Sequence, residues 1–334
     1  MPDVVILGDI NVDVLARVPF YPPPGGDSLA EGVDVRAGGS AANTAVVLSK
    51  LGQEVSIIAR VGEDILADYA LSDLREAGVD LSLVQEDAEA MTGLVFAAVT
   101  PDGERTFFSC RGANARTVLQ SGDERRIEDT RVLQVSGYAL VESPQRDAAL
   151  RAIEVAHRTR VPVSLDLGVE VTTTPREDIL NVLPMVSMVF PNQAVAKWLT
   201  GKESSPESVE ALLGLGPGVV GLKLREQGCL IGSAEGIFPV PSFQVDPVDD
   251  TGAGDSFDAG LILGRIGGLS LRESALLANA LGALATTVTG AGGSLPGPLE
   301  ALSFLEGRRK GRERLEWSED LARVSEYLGT RQSG

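Results

Sequence analysis

Histidine and cysteine are scarce in this chain: it has one histidine, His157, and two cysteines, Cys110 and Cys229. That is too few soft ligands for a zinc site. The cysteines lie far apart in sequence, so no disulfide framework is expected and both are read as small core residues. His157 sits in RAIEVAHRTR, an arginine-rich helical pattern, and is read as a surface or boundary residue. Aromatic residues make up 4% of the chain, which disfavours a site built on base stacking. Positive charge is also short: 29 Lys and Arg stand against 47 Asp and Glu, a net charge of −18. That balance argues against general binding to nucleic acid or acidic membranes, since phosphate backbones are met by Lys and Arg. It leaves room for one local anion pocket. No charge-free apolar run reaches transmembrane length. The opening MPDVVILGDINVD is apolar only briefly and carries three acids, so it is not read as a signal peptide, and the cytoplasm is the expected compartment.

What is present is ordinary globular composition, 43% hydrophobic over 334 residues. That suits one large α/β domain with additions or two modest domains. DVVILGDI at 3–10 reads as a buried strand, 41–51 as a helix, EVSIIARVG at 54–62 as a strand, and 66–78 as one helix ending on Gly78. Strands and helices then alternate through VLQVSG, 145–158, VPVSLDLG, 176–183, VSMVFPN and a helix from 193, followed by strands GVVGLKL and CLIGS and long helices at about 254–265 and 271–287. This rhythm predicts a mainly parallel sheet covered on both faces. It breaks at 12–36 and 92–110, where strands occur without helices, the second around a turn at Pro101, Asp102 and Gly103. These breaks read as a small added β-sheet, either a lid over a cleft or a decorative hairpin. The tail from 307 to 334 starts with a charge run and continues as an amphipathic helix, read as a solvated or packing extension.

Three segments carry chemistry. PVDDTGAGDSFDAGLILG at 247–264 places Gly252, Ala253 and Gly254 at the mouth of an apolar helix. Unpaired N–H groups and the helix dipole there suit a phosphoryl anion. A carboxylate in such a turn, Asp255, repels phosphate unless it serves the reaction; ionised, it can accept a proton from an alcohol. An N-cap in a tight turn is the plainer reading. RAGGSAANTAVVLSKLG at 36–52 repeats the theme: Gly38 and Gly39 precede a helix, with Asn43 one turn in. GDINVD at 8–13 ends a strand, where open α/β sheets bind ligands, with Asn11 and Asp13 pointing one way.

Together these segments resemble the ribokinase-like (PfkB) carbohydrate kinase family over roughly residues 3–306. The resemblance implies a three-layer α/β sandwich with a β-sheet lid, a sugar as substrate, ATP with Mg²⁺, and transfer to a hydroxymethyl group. It makes Asp255 the base and the amides of Gly252, Ala253 and Gly254 the anion hole. It puts Asn11, Asp13, Gly38, Gly39 and Asn43 on the sugar, and Asp249 and Thr251 on a monovalent cation, often K⁺. It places Asn279, Gly282, Gly290 and Ala291 near the adenine, with Asn192, Lys223 and Arg225 on the nucleotide side. A homodimer through the lid is a further possibility.

The chain departs from the family pattern in three places. Val195 stands where the family usually has a Glu that helps organise Mg²⁺ through water, so weaker metal affinity is expected. The usual Lys-Leu-Gly turn reads Lys223-Leu224-Arg225, and Ser40 replaces the Lys that ribokinases proper often carry after the glycine pair. Arg111 is a candidate partner for a substrate carboxylate or phosphate, and Glu142 for a sugar hydroxyl, with surface and helix-capping roles as the alternatives. A nucleoside kinase of the same fold and a sugar-binding sensor without turnover are the rival readings.

Overall fold

The computed structural model describes residues 2–102, 105–168, 175–310 and 317–330. The hairpin residue Gly103 and positions 311–316 and 331–334 of the tail lie outside the described residues. In chain order the strands are β1 (Val4–Leu7), β2 (Asn11–Arg17), β3 (Gly32–Gly38), β4 (Val55–Gly62), β5 (Val84–Asp87), β6 (Gly93–Val99), β7 (Arg105–Cys110), β8 (Val132–Ser136), β9 (Val163–Leu167), β10 (Met188–Pro191), β11 (Val219–Lys223), β12 (Cys229–Ser233) and β13 (Gly236–Val240).

Nine of them form one sheet in the order β13-β12-β11-β10-β9-β8-β1-β4-β5. It is parallel from β11 to β5, with β12 and β13 antiparallel at one edge. Strands β1, β8 and β9 are buried at every residue, as central parallel strands covered on both faces must be. One face is covered by the helices Ser40–Lys50, Ala253–Ile266 and Leu271–Ala285, the other by Gln145–Thr159, Arg176–Val182, Gln193–Thr200 and Ser205–Gly214. From β1 the chain builds outward to β4 and β5, then returns to β8 and builds the other way. The strand order therefore switches between β1 and β8, which places the ligand crevice at their C-terminal ends.

The two expected breaks in the rhythm supply a separate four-stranded sheet, β3-β2-β6-β7. Its registers put Arg36, Asp13, Val95 and Ser109 in one row across the sheet, and Val35, Val14, Phe96 and Phe108 in a row on the opposite face. Only residues 8–10 separate β1 of the large sheet from β2 of the small one.

Several local expectations change. The single helix at 66–78 is two, Ile65–Ala70 and Ser72–Ala77. The Ser72 hydroxyl donates to the Tyr69 carbonyl at 2.7 Å, a local bond that competes with the helical ladder. Cys110 is not a core residue: it is exposed at the end of β7, an edge strand of the lid, while Cys229 is buried as expected. The helix Pro298–Lys310 runs across position 307, where the tail was expected to begin. The helix Ser318–Gly329 buries Leu321, Val324 and Leu328 in the main core, and Tyr327 donates to the Leu263 carbonyl at 3.1 Å. Among the described residues no helix is long and apolar enough to cross a membrane.

Candidate active site

Two glycine turns meet at the crevice. Gly39, at φ 99°, leads from β3 into the helix Ser40–Lys50, and a Cβ there would lie 2.4 Å from the Asp9 carbonyl. Only glycine lets the chain cross this closely. Gly252, at φ 76°, opens the helix Ala253–Ile266. The Ala253 amide turns back to the Asp250 carbonyl at 3.2 Å, whereas the amides of Gly252, Gly254 and Asp255 have no acceptor among the described residues. Of the expected anion-hole donors, Ala253 is thus partly occupied, and the Asp255 amide joins the open set.

The Asp255 side chain is held at both oxygens. Ser40 donates to Oδ1 at 2.8 Å and Asn43 Nδ2 to Oδ2 at 2.7 Å. Asn43 Oδ1 in turn accepts the Gly292 amide at 3.1 Å. Both ends of Asn43 are therefore engaged within the protein, and its Nδ2 helps to fix the Asp255 carboxylate. Burial, then the nearby Asp166 charge, push the Asp255 carboxyl up to about 6, against the Asn43 and Ser40 hydrogen bonds. A carboxyl poised just below neutrality is ionised at pH 7 and has the basicity a proton acceptor needs.

Asp13 faces this carboxylate from the lid. Burial, then the Asp255 charge, raise its carboxyl to about 7. Its Oδ1 is buried without a partner, and a Cβ on Gly38 would lie 2.3 Å from its Oδ2. Glycine at 38 thus leaves room for the acid. Asn11 Oδ1 accepts from Asn114 Nδ2 at 2.8 Å, and Asn114 also clamps the backbone of Ile10.

Beneath the anion turn lies a buried charge cluster. Lys223 Nζ is 2.8 Å from Asp166 Oδ1 and 2.9 Å from Asp258 Oδ1, and 3.6 Å from where a Gly254 Cβ would sit. Burial works against the ammonium, but the two carboxylates outweigh it and push Lys223 above the ordinary lysine range. Asp258 is 0% exposed, and burial raises its carboxyl against the pull of Lys223. Asp166 and Asp258 were not singled out from the sequence. Asp258 follows Asp255 by one helical turn, a spacing that could have flagged it.

Several other expected site residues have partners within the protein, although Arg111 Nε and Nη1 are buried without one. Arg111 binds Asp9 at 2.9 and 3.1 Å and also Gln145, so its Nη2 answers a carboxylate of the protein itself. Glu142 is exposed, and no hydrogen bond brings its side chain to the crevice among the described residues. Asn192 lies beside Lys223 at the C-terminal ends of β10 and β11 and caps the next helix through the Val195 amide at 2.9 Å. Val195 is 0% exposed in the core. Arg225 is exposed and adopts φ 54°, the left-handed conformation that the family's glycine would take. Asn279 ties its helix to the carbonyls of Val240 and Pro241, and Gly282 packs against the Ala253 carbonyl. Ala291 is buried, and the Gly290 amide donates to Asp249 Oδ2 at 2.9 Å.

Asp249 and Thr251 are met by an arginine the sequence did not point to. Arg105, from β7 of the lid, places Nη2 2.7 Å from Asp249 Oδ1 and Nη1 2.7 Å from Thr251 Oγ1 and 3.1 Å from Asp250 Oδ1. Burial would raise the Asp249 carboxyl, but hydrogen bonds from Thr251, Gly290 and Arg105 bring it down to about 2. Among the described residues no cluster of three or more His, Cys, Asp or Glu is arranged to hold a metal ion.

A family model described as pfkB family carbohydrate kinase matches residues 1–298. Fructokinase-1 of Zea mays is 33% identical over 322 residues, covering 91% of this chain and 97% of that protein. Among solved structures, Arabidopsis thaliana ribokinase complexed with ribose and ATP has a TM-score of 0.81 at 24% identity, covering 91% of this chain and 98% of that one. A putative ribokinase II from E. coli in complex with ATP and Mg²⁺ has a TM-score of 0.81 at 25% identity, over 92% and 100%.

Proposed function

From the premise that the chain belongs to the pfkB family of carbohydrate kinases and is a sugar kinase, we propose that it transfers the γ-phosphoryl group of ATP to a hydroxymethyl group of its sugar, with Asp255 as general base. The observation that carries this is the placement of Asp255. Its carboxylate is fixed by Ser40 and Asn43 within the first turn of a helix whose Gly252, Gly254 and Asp255 amides are open. The sugar hydroxyl gives its proton to Asp255 as its oxygen bonds to phosphorus and the bond to the leaving ADP oxygen breaks. The open amides meet charge on the transferring group without reorganising, and Lys223 adds a fixed positive charge beneath them. Asn11 and Asp13 hold the sugar from the lid side.

Divalent metal is expected to arrive as the metal–nucleotide substrate. Asp166 and Asp258 are both bound to Lys223, and Val195 is buried, so this chain brings no prepared cage. The ion would neutralise triphosphate charge. Fructose is the first sugar to test: the maize relative is a fructokinase, and Ser40 stands where ribokinases proper often carry Lys.

The test is a screen of fructose, ribose, other sugars, sugar acids and nucleosides with ATP and Mg²⁺, repeated with Asp255→Asn. A sugar is expected to be the preferred acceptor. The variant should bind it and lose about 10²–10⁴-fold in turnover, the usual range for a general base. Near-normal turnover would remove Asp255 from the mechanism, and a nucleoside preference would replace the sugar reading.

A further inference from the structure

We infer that Arg105 takes the place of the monovalent cation expected at Asp249 and Thr251, so that the anion turn is set by a guanidinium from the lid and the enzyme works without K⁺. The carboxylate that would ligate the ion is already saturated on one side. Asp249 Oδ1 accepts the Thr251 amide at 2.9 Å, the Thr251 hydroxyl at 2.7 Å and Arg105 Nη2 at 2.7 Å. Its Oδ2 accepts the Gly290 amide at 2.9 Å. A carboxylate offers roughly four acceptor sites, and four donors are present. The Thr251 hydroxyl donates to Asp249 and accepts from Arg105 Nη1, so it too is engaged. A K⁺ on Asp249 Oδ1 would have to displace a donor, and anywhere on this carboxylate it would sit beside the guanidinium of Arg105, whose side chain is 19% exposed, where like charges are poorly screened. The residues present therefore do not fit the ion; they fit the planar fork of an arginine, which spans a carboxylate and a hydroxyl at once.

The position of the pair gives it a role in the reaction. Asp249 precedes Gly252 by three residues, and the Val248 and Asp249 amides donate to the Thr286 carbonyl. The carboxylate thus joins the turn at 249–252, the loop at 286–290 and the first residue of β7. Arg105 acts as a positioning residue: its contacts are to Asp249, Asp250 and Thr251, and through them it holds the backbone that presents the open amides.

The inference rests on the kinase reading above only for its activity arm. Wild type and Arg105→Ala are assayed in KCl, NaCl and tetramethylammonium chloride at equal ionic strength. Wild-type turnover is expected to agree within about twofold across the three salts, and Arg105→Ala to lose roughly tenfold or more in sodium, as for a misplaced catalytic element. Potassium or added guanidinium chloride at low concentration should recover part of that loss. A second readout needs no substrate: melting temperature compared between KCl and NaCl should be equal for wild type and higher in KCl for Arg105→Ala. Arg105→Lys, which keeps a charge and loses the fork, should fall between the two in turnover and show no potassium-specific melting shift. Strong potassium activation of wild type, or an Arg105→Ala variant that neither loses turnover nor responds to potassium, overturns the inference. If no sugar is phosphorylated at all, the kinase reading fails while the melting comparison still decides the role of Arg105.

Discussion

Asp13 and Asp255 face each other with one carboxyl raised to about 7 and the other to about 6. Both bind their proton to higher pH in the folded chain than the ordinary value of 3.8. Their contribution to stability is therefore greatest below about pH 4 and is lost as pH rises through 6 and 7. Asp249, brought down to about 2, acts oppositely: its contribution holds above about pH 4 and is lost in strong acid. Asp13→Asn should flatten the fall in melting temperature between pH 5 and pH 8. At pH 8, where Asp13 is ionised, the same variant should weaken sugar binding by at least about tenfold, because a hydrogen bond to a charged group contributes roughly 1.5–3 kcal/mol. The kcat/KM of wild type should fall by about tenfold per pH unit below pH 6, as the base is protonated. A flat acid limb, or Asp13→Asn with unchanged sugar affinity and an unchanged melting profile, would show that neither carboxyl does what its surroundings imply.

The helix Gln193–Thr200 illustrates how far local sequence could carry the reading. Its start was legible, since Pro191 ends a strand and Asn192 is a favoured cap for the helix after it. The consequence of Val195 was not, because exposure depends on which side chains pack against the helix. At 0% exposure Val195 belongs to the apolar layer with Ala196 and Leu199. Val195→Glu is therefore expected to cost at least about 2 kcal/mol of stability and to leave the Mg²⁺ requirement no lower. Denaturant unfolding with a magnesium titration of the rate checks both; a stable variant with a lower magnesium requirement would mean the carboxylate reaches the cleft. The same division runs through the site. The glycine turns, Asp255 and Asp13 could be found because each lies in a compact local motif. Asp166, Arg105, Asn114 and Gln145 reach the site from distant strands and helices, and only the assembled sheets bring them in. Strand β13 was missed because GIFPV contains Pro239, which an edge strand tolerates and a central one does not.

For the whole molecule, the lid presents Val35, Phe96 and Phe108 in an exposed row on the face opposite Asp13. Exposed apolar patches of this kind mark association surfaces, and two lids pairing through this row would cover it. Sedimentation is expected to give a dimer, and the double variant Phe96→Glu, Phe108→Glu a monomer that retains its melting temperature. A monomeric wild type at all concentrations would end that reading.

The short passage from β1 to β2 at residues 8–10, and the tight crossing of Gly39 over the Asp9 carbonyl, join the lid to the body. Asn11 and Asp13 lie on the lid side of these crossings; Ser40, Asn43 and Asp255 lie on the body side. In the proposed reaction, sugar recognition and proton acceptance would come from different bodies, with neither body alone holding the complete site. Part of what raises the Asp13 carboxyl is the charge of Asp255, so any rotation that parts the two bodies lets Asp13 ionise more easily. Proton uptake is therefore expected to accompany any closure of the lid, and lid strands no better protected from hydrogen exchange at pH 5 than at pH 8 would show that the two are not linked.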